Sequence, residues 1–473
     1  MTLSWPSDGF AIVIDRSRAT PITVQITDTL RSAILEGRLV PGARLPSWLD
    51  LATQLGVARG TVKAAYEVLA DEFLVVSAGA AGTRVANRRP ARPVLEKVCI
   101  RRPLEGIEPG FSLPPLPFQM GVPAQDAFPA KLWARLRTRA ARDDAMAPVG
   151  PADPRGHPEL RAQIASNLAI TRGIACVPDQ IILTSGYKNG LCLTILALRA
   201  HGRSAWIEDP GFPVTRMGLE FAGVTPIAVP VDTDGIRVDL GIAAAPDAAF
   251  AIVTPGQQAP TGVPLSSERR RDLLAWANRE DAWVVEDDYL SELQLSGRAT
   301  PALAAQDACG HVIHIGTFSK TLSPALGLGF VVAPISLAAH FADVAACLNP
   351  APNTTTQLAL ASFLADGHFL RHLRHMKRLY RDRRDALSAR LGPGLTIERC
   401  TGLALLTHLP AGMDDVALAQ QALDRGIAPL PLSVWHQDRA AARPGFLLCV
   451  TNLRNGHLDK ACDTLATLIA QAS

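Results

Sequence analysis

No two of the eight cysteines form a C-x-x-C pair. Cys99, Cys176, Cys192, Cys309, Cys347, Cys400, Cys449 and Cys462 are scattered along the chain, so neither a zinc cluster nor a disulfide framework is indicated, and reduced thiols in a cytoplasmic protein are expected. A charge excess is missing too. Forty-seven Lys+Arg face 44 Asp+Glu, a formal +3, too near balance to announce a nucleic-acid partner from bulk electrostatics. Thr2 to Gly9 holds Asp8 and a proline but no basic segment leading into an apolar one, so no signal peptide is expected. A clean membrane run is also absent. Thr321 to Ala342 carries no Asp, Glu, Lys or Arg and approaches the ~20 residues a bilayer requires. Pro324 and Pro334 interrupt it, and Ser323, Gly327, Gly329 and Ser336 dilute it, which predicts buried α/β core instead.

What is present describes a folded, soluble protein: 48% hydrophobic residues, 19% charged residues and 36 prolines, a composition unlike a disordered or fibrous chain. The length of 473 residues suggests about three domains at ~150 each, or one large core with a smaller unit. Residues 1–86 read as the small unit. Thr20 is an N-cap candidate with Pro21 at the first helical position, and Ile22, Ile26, Leu30 and Ile34 recur at helical spacing up to Gly37. Ser47 with Asp50 resembles a capping box for a short helix that buries Leu51 and Leu55 and stops at Gly56. A third helix is predicted from about Arg59 to Asp71, with Val62, Tyr66 and Leu69 inward. Leu74 to Val76 and Thr83 to Val85 flank a glycine-containing turn as a β-ribbon. That order is a winged helix-turn-helix.

Residues 87–118 read as a linker, rich in proline and basic through Arg88, Arg89, Arg92, Lys97, Arg101 and Arg102. In residues 119–473, apolar runs alternate with helical periods: Ile181 to Leu183, Ala205 to Ile207, Phe250 to Val253, Trp283 to Val285 and Val312 to Ile315. Such alternation predicts a mostly parallel sheet covered on both faces, with ligands at its carboxyl edge. This large part runs from about 150 to 345, and a small α+β subdomain from about 346 to 473. His368, His372 and His375 share a helical face, but the surrounding Arg371, Arg374, Lys377 and Arg378 point to a cationic solvated helix rather than a metal site. Arg269, Arg270 and Arg271 read as surface.

Arg59, Thr61 and Lys63 open the third helix, the part that enters a major groove in this motif. On an isolated helix, two cations and a threonine would be ordinary solvation. The neighbouring sequence decides otherwise. Leu35-Glu36-Gly37-Arg38-Leu39-Val40-Pro41-Gly42-Ala43-Arg44-Leu45-Pro46-Ser47, Leu55-Gly56-Val57-Ala58-Arg59-Gly60-Thr61-Val62 and Ala65-Tyr66-Glu67-Val68-Leu69 closely resemble the GntR winged-helix domain, over about Pro21 to Ala86. The resemblance implies double-stranded operator DNA as partner, met by Arg44, Ser47, Arg59, Thr61 and Lys63, with the Gly82-Thr83 turn as the wing tip. Trp48 and Leu49 stand where the family usually has serine and arginine, which removes one expected phosphate contact.

A second chemistry gathers at the sheet's carboxyl edge. Gly316-Thr317-Phe318-Ser319-Lys320 follows a predicted strand, and a lysine there can form a Schiff base with an aldehyde cofactor once desolvation exposes its free amine. The strand Trp283 to Val285 delivers Glu286-Asp287-Asp288-Tyr289. An aspartate there can hold a pyridinium nitrogen protonated, and Tyr289 lies on its side of an extended chain; helix capping by the acidic pair is the plainer alternative. Ile181 to Leu183 enters a helix through Thr184-Ser185-Gly186-Tyr187-Lys188-Asn189-Gly190, offering N–H groups and a positive dipole end to a phosphate.

Together these segments resemble the fold-type I pyridoxal-phosphate aminotransferases, and the joined architecture resembles the MocR subfamily of GntR regulators over nearly the whole chain. Asp153-Pro154-Arg155-Gly156, Glu208-Asp209-Pro210-Gly211-Phe212, Val253-Thr254-Pro255, Gln258 and Pro260-Thr261-Gly262 support the match. The resemblance implies a homodimer, with pyridoxal phosphate joined to Lys320, Asp287 at its pyridine nitrogen and Tyr289 at its phenolic oxygen. It places Gly186, Tyr187, Lys188, Thr317 and Ser319 around the phosphate, and Gln258 among the cofactor contacts. Four departures stand out. Gly327 replaces a phosphate-binding arginine, Pro151 a tyrosine that reaches the partner's phosphate, and Ala259 an asparagine before Pro-Thr-Gly. Phe446-Leu447-Leu448 occupies the strand where transaminases carry the substrate-carboxylate arginine. Losing a charge-assisted phosphate contact costs ~1.5–3 kcal/mol, so weak cofactor binding is expected unless Lys188 or Arg216 substitutes. The reading is a cytoplasmic transcriptional regulator that senses an amino compound or vitamin B6. An active aminotransferase and a regulator whose pocket has lost the cofactor are its rivals.

Overall fold

Helix breakers and apolar spacing set the elements of the N-terminal part. The computed structural model describes residues 2–4, 11–77, 82–87, 115–146, 152–295, 300–348, 352–391, 395–439, 442–454 and 456–472. Two units emerge, residues 1–101 and 102–473. In the first, β1 (Thr2–Ser4) and β2 (Ala11–Val13) pair antiparallel. Helix α1 (Ile22–Leu35) buries Ile26, Leu30 and Ile34. Its cap is Pro21, one residue later than the Thr20 expectation, because the Pro21 carbonyl accepts the Gln25 N–H at 3.1 Å. Helix α2 (Trp48–Leu55) starts where the Ser47 hydroxyl accepts from the Asp50 N–H at 3.1 Å and donates to its carboxylate at 2.6 Å. It ends at Gly56 with φ +61°.

Helix α3 (Arg59–Asp71) buries Val62, Ala65, Tyr66 and Leu69. The Tyr66 hydroxyl donates to the Pro46 carbonyl at 3.0 Å, fixing the turn before α2. Strands β3 (Val75–Ser77) and β4 (Thr83–Val85) form the antiparallel ribbon. The basic linker residues and Pro151 lie outside the described residues.

The second unit is organised by an eight-stranded sheet. Its strands are β5 (Ile181–Thr184), β6 (Ser204–Asp209), β7 (Thr225–Asp232), β8 (Gly235–Ile236), β9 (Phe250–Val253), β10 (Trp283–Asp288), β11 (Val312–Thr317) and β12 (Gly329–Val332), in the order β5-β12-β11-β10-β9-β6-β7-β8. The run from β11 to β7 is parallel. β12 inserts antiparallel between β5 and β11. Alternate residues of each strand feed different apolar clusters: Ile182, Val285, Ile313 and Ile315 join one, Val284 and Val312 another. Both faces are therefore dry, as a parallel sheet requires. The charge-free stretch after Lys320 becomes a short turn, buried β12 and the start of helix Ala338–Leu348. No helix among the described residues is long and apolar enough to cross a membrane.

A small antiparallel sheet completes the unit, from β13 (Thr396–Thr401), β14 (Ala404–His408), β15 (Leu430–Pro431) and β16 (Gly445–Cys449) in the order β13-β14-β16-β15. Two surface expectations are corrected here. Arg270 is 2% exposed, because its guanidinium donates to the carbonyls of Leu265, Pro301 and Pro255 at 2.9–3.0 Å where those loops end. His372, on helix His368–Arg390, is buried with its Nε2 2.9 Å from the Thr321 carbonyl, whereas His375 is exposed. That helix turns His372 into the core instead of presenting a uniformly solvated cationic face.

Candidate cofactor and DNA-binding sites

Strand alternation assigns the acidic run of β10 to two different tasks. Val285 and Asp287 share one face; Glu286 and Asp288 face the other way. Glu286 accepts the Leu303 and Ala304 N–H groups at 2.7 and 3.0 Å and lies 3.0 Å from His314 Nδ1. Asp288 pairs with Arg172 at 2.6 Å, both nearly sealed from solvent. These two carboxylates fasten the sheet to its neighbours. Asp287 is different: it is 6% exposed and its Oδ1 has no hydrogen-bond partner. Burial, then Asp288 and Glu208, push its pKa well above the carboxylate range, while Lys320 pulls it down.

Asp287 lines a pocket with Tyr187, Glu208, Phe212, Arg216 and Trp435. Tyr187 was expected at a phosphate; its side chain instead bonds Thr215 Oγ1 at 2.8 Å and packs beside Phe212, ring centroids 6.3 Å apart. Its backbone still opens helix Tyr187–Ala197. Gly186, at φ +129°, turns the chain from β5 into that helix, a conformation that favours glycine. A Cβ on Gly186 would lie 4.0 Å from Ser319 Oγ, so the loop after β11 meets the helix start. There the Thr317 hydroxyl donates to Ser319 Oγ at 3.0 Å and accepts the Ser319 N–H at 3.1 Å. The first N–H groups of a helix have no intrahelical partners, and two hydroxyls beside them suit an anion. Lys188 is exposed on the same first turn.

Lys320 lines a second pocket, together with Tyr289 and the 120–123 segment. Its Nζ lies 3.5 Å from the Gly121 carbonyl. Gly121 has φ +89°, a conformation that favours glycine, and a Cβ there would sit 3.0 Å from Nζ. Burial pushes the Tyr289 hydroxyl well above its usual range. Gln258 departs from its expected role. Its amide nitrogen faces Pro210 O at 2.7 Å, Ala259 O at 2.8 Å and Glu208 Oε2 at 3.3 Å, and its oxygen accepts twice from Thr261. With every position used, Gln258 shapes the loop and has no group left for a cofactor. Gly327 ends a short turn at φ +56° and supplies no cation.

The orphaned carboxylate, the hydroxyl-flanked helix start and a lysine within electrostatic reach of Asp287 fit pyridoxal phosphate. Sequence reasoning missed Phe212, Trp435 and Glu208 as walls of the Asp287 cavity. Glu208, held near pKa 7 by burial against hydrogen bonds from Thr254 and Gln258, was visible only as part of a matching stretch.

In the N-terminal unit, Arg44, Arg59 and Lys63 are exposed, and Thr61 and Thr83 half-buried. Arg59, Thr61 and Lys63 occupy the first turns of α3. Lys63 is 3.7 Å from Glu67 on the same helix. Arg44 lies against the ribbon, its Nε 3.2 Å from where a Gly82 Cβ would stand. Ser47 is exposed, but its hydroxyl serves the α2 cap.

The family model for aminotransferase class I and II matches residues 134–465, and that for the GntR family of bacterial regulatory proteins matches residues 22–85. The chain is 35% identical to the probable rhizopine catabolism regulatory protein MocR of Rhizobium meliloti, over 89% of this chain and 88% of that one. It is 34% identical to the pyridoxine biosynthesis transcriptional regulator PdxR of Corynebacterium glutamicum, over 87% and 89% of the two chains. The fold matches Pyrococcus horikoshii kynurenine aminotransferase with a TM-score of 0.67 at 24% identity, over 74% of this chain and 89% of that one. An N-terminal domain from one family and a C-terminal domain from another, joined as in relatives 34–35% identical over most of the chain, make this chain a MocR-type member of the GntR family of bacterial regulatory proteins, with a C-terminal aminotransferase class I and II domain.

Proposed function

We propose that this DNA-binding transcriptional regulator holds pyridoxal phosphate in its C-terminal domain and uses it to sense a small amino compound or vitamin B6 itself. The observation that carries the reading is Asp287, a sealed carboxylate with an orphaned oxygen, electrostatically coupled to Lys320. A buried acceptor of this kind is costly alone and is answered by a pyridinium N–H. In this reading Lys320 carries the cofactor, Tyr289 meets its phenolic oxygen, and Gly186, Tyr187, Lys188, Thr317 and Ser319 surround its phosphate, Tyr187 through its backbone. When bound, the cofactor supplies an aldehyde that condenses with amines. Without a cation at Gly327, affinity is about 10–100-fold below that of a site holding that contact. Arg44, Arg59, Thr61, Lys63 and Thr83 meet operator DNA, with residues 1–86 as the head, 87–118 as the strap and 119–473 as the sensor of a cytoplasmic homodimer. The strap carries changes in the sensor to the spacing of two heads.

Absorbance spectroscopy of purified protein reconstituted with pyridoxal phosphate tests the cofactor. A visible band that disappears in Lys320→Ala is expected; a wild type without the band refutes the reading. Incubation with amino donors and keto acids tests the role, and sustained turnover would favour an aminotransferase over a pure regulator.

A further inference from the structure

We propose that the ligand sensed beside Lys320 is a primary amine with an apolar body and no carboxylate next to its amine, selected by a hydrocarbon wall that includes Leu447. The inference rests on the cofactor reading above and narrows it to a ligand class. The pocket at Lys320 is walled by Met120, Val122, Pro260, Leu403 and Leu447. Lys320 is the single ammonium or guanidinium among the described residues that line it, and in this reading it serves the cofactor. The Thr451 hydroxyl is occupied: it donates to the Val122 carbonyl at 2.7 Å and accepts from Asn452 Nδ2 at 3.2 Å.

Leu447 is fixed by its place in the sheet. It is 1% exposed, paired with Leu406 of β14 on one side and Leu430 of β15 on the other. Met120, Tyr289, Ala404 and Leu432 belong to the same apolar cluster. A carboxylate entering this space would shed its hydration against hydrocarbon with no cation among the described lining residues, beyond Lys320, to answer it. The methylenes of an alkylamine gain from the same burial. Selection therefore works by excluding the carboxylate as much as by holding the chain.

Pentylamine and L-norleucine differ by one carboxylate and form the test pair. The dialysed full-length protein loaded with pyridoxal phosphate is titrated with each, with binding read by calorimetry and by the change in the visible band. Pentylamine is expected to bind roughly 10–100-fold tighter. Norleucine binding as tightly, or neither ligand binding, overturns the proposal. Leu447→Arg is expected to narrow or invert the ratio, and Leu447→Met, similar in volume and uncharged, to keep it. An arginine variant with the wild-type ratio removes Leu447 as the selector; if that variant fails to fold, Leu403→Arg at the turn before β14 repeats the measurement. A wild type that never develops the visible band fails the cofactor reading itself, which is distinguishable from a banded protein that does not discriminate.

Discussion

Asp287→Asn is expected to stabilise the cofactor-free protein and, at the same time, to weaken its hold on pyridoxal phosphate. The wild-type carboxylate is 6% exposed with Oδ1 unpartnered, and burial raises its pKa well above the ordinary carboxylate range. A folded-state pKa above the unfolded one means that the native state binds the proton more tightly. The stability this contributes is complete below about pH 4 and is lost as pH rises toward the folded value. At about pH 8 the cofactor-free protein must keep that proton or bury an unanswered charge, a penalty of about 1–3 kcal/mol. Asparagine has no such ionisation. The stripped variant should melt a few degrees above stripped wild type at about pH 8, and the gap should close toward pH 4. With cofactor the order reverses. Losing the charge-assisted bond to the pyridinium N–H costs about 1.5–3 kcal/mol, a 10–100-fold weaker dissociation constant. Scanning calorimetry of stripped protein against pH and equilibrium dialysis with pyridoxal phosphate measure the two effects. A variant that binds the cofactor as tightly as wild type, or a melting difference independent of pH, would refute the reasoning.

The head and the scaffold can be tested separately. Arg59→Ala with Lys63→Ala should abolish measurable operator binding at physiological salt, and each single change should lower the salt slope by about one; unchanged affinity in a gel-shift titration refutes the role of α3. Arg172→Met removes the 2.6 Å ion pair of the buried Asp288 carboxylate and leaves it His314, whose Nε2 lies 3.9 Å away. A cost of ~2–4 kcal/mol in chemical denaturation is expected, and a loss below ~1 kcal/mol would refute the structural weight given to this pair. Burial holds the His372 imidazole below the usual histidine range, against its bond to Thr321 and with His375 adding to the shift. A depressed folded pKa leaves stability intact above about pH 6.5 and removes it as pH falls. His372→Gln, which retains an N–H for the Thr321 carbonyl, should flatten this acid limb in thermal scans; an unaltered pH profile refutes the assignment.

The local signals were read most fully in the head. Ser47, Asp50 and Gly56 bound α2 because capping and the left-handed turn are decided within a few residues. Arg59–Asp71 follows from its own apolar spacing. Strands β5, β6, β9, β10 and β11 each stand out as short apolar runs, since the sheet is buried on both faces. The antiparallel insertion of β12 was not legible, because Gly329–Val332 pairs with β5, more than a hundred residues upstream. Arg270 and His372 defeated the rule that charge faces water. Their partners are carbonyls at the ends of loops, which no periodicity records. Gln258 likewise sat in a matching segment, yet its bonds to Pro210, Ala259 and Thr261 leave it no free polar group.

The sequence by itself determined that a GntR-type head precedes an aminotransferase-type domain, and it singled out Lys320, Asp287 and Gly327 as the positions on which the proposed cofactor site turns. Those conclusions depend on residue identity and order, which folding leaves unchanged. Tertiary structure decided which member of the Glu286-Asp287-Asp288 run is available, because strand alternation and the partners Leu303, Ala304 and Arg172 consume two carboxylates and leave the third unanswered. It also decided the character of the space at Lys320. Met120, Leu403 and Leu447 are distant in sequence and meet there because the 120–123 segment packs against the small sheet, an arrangement that no motif records.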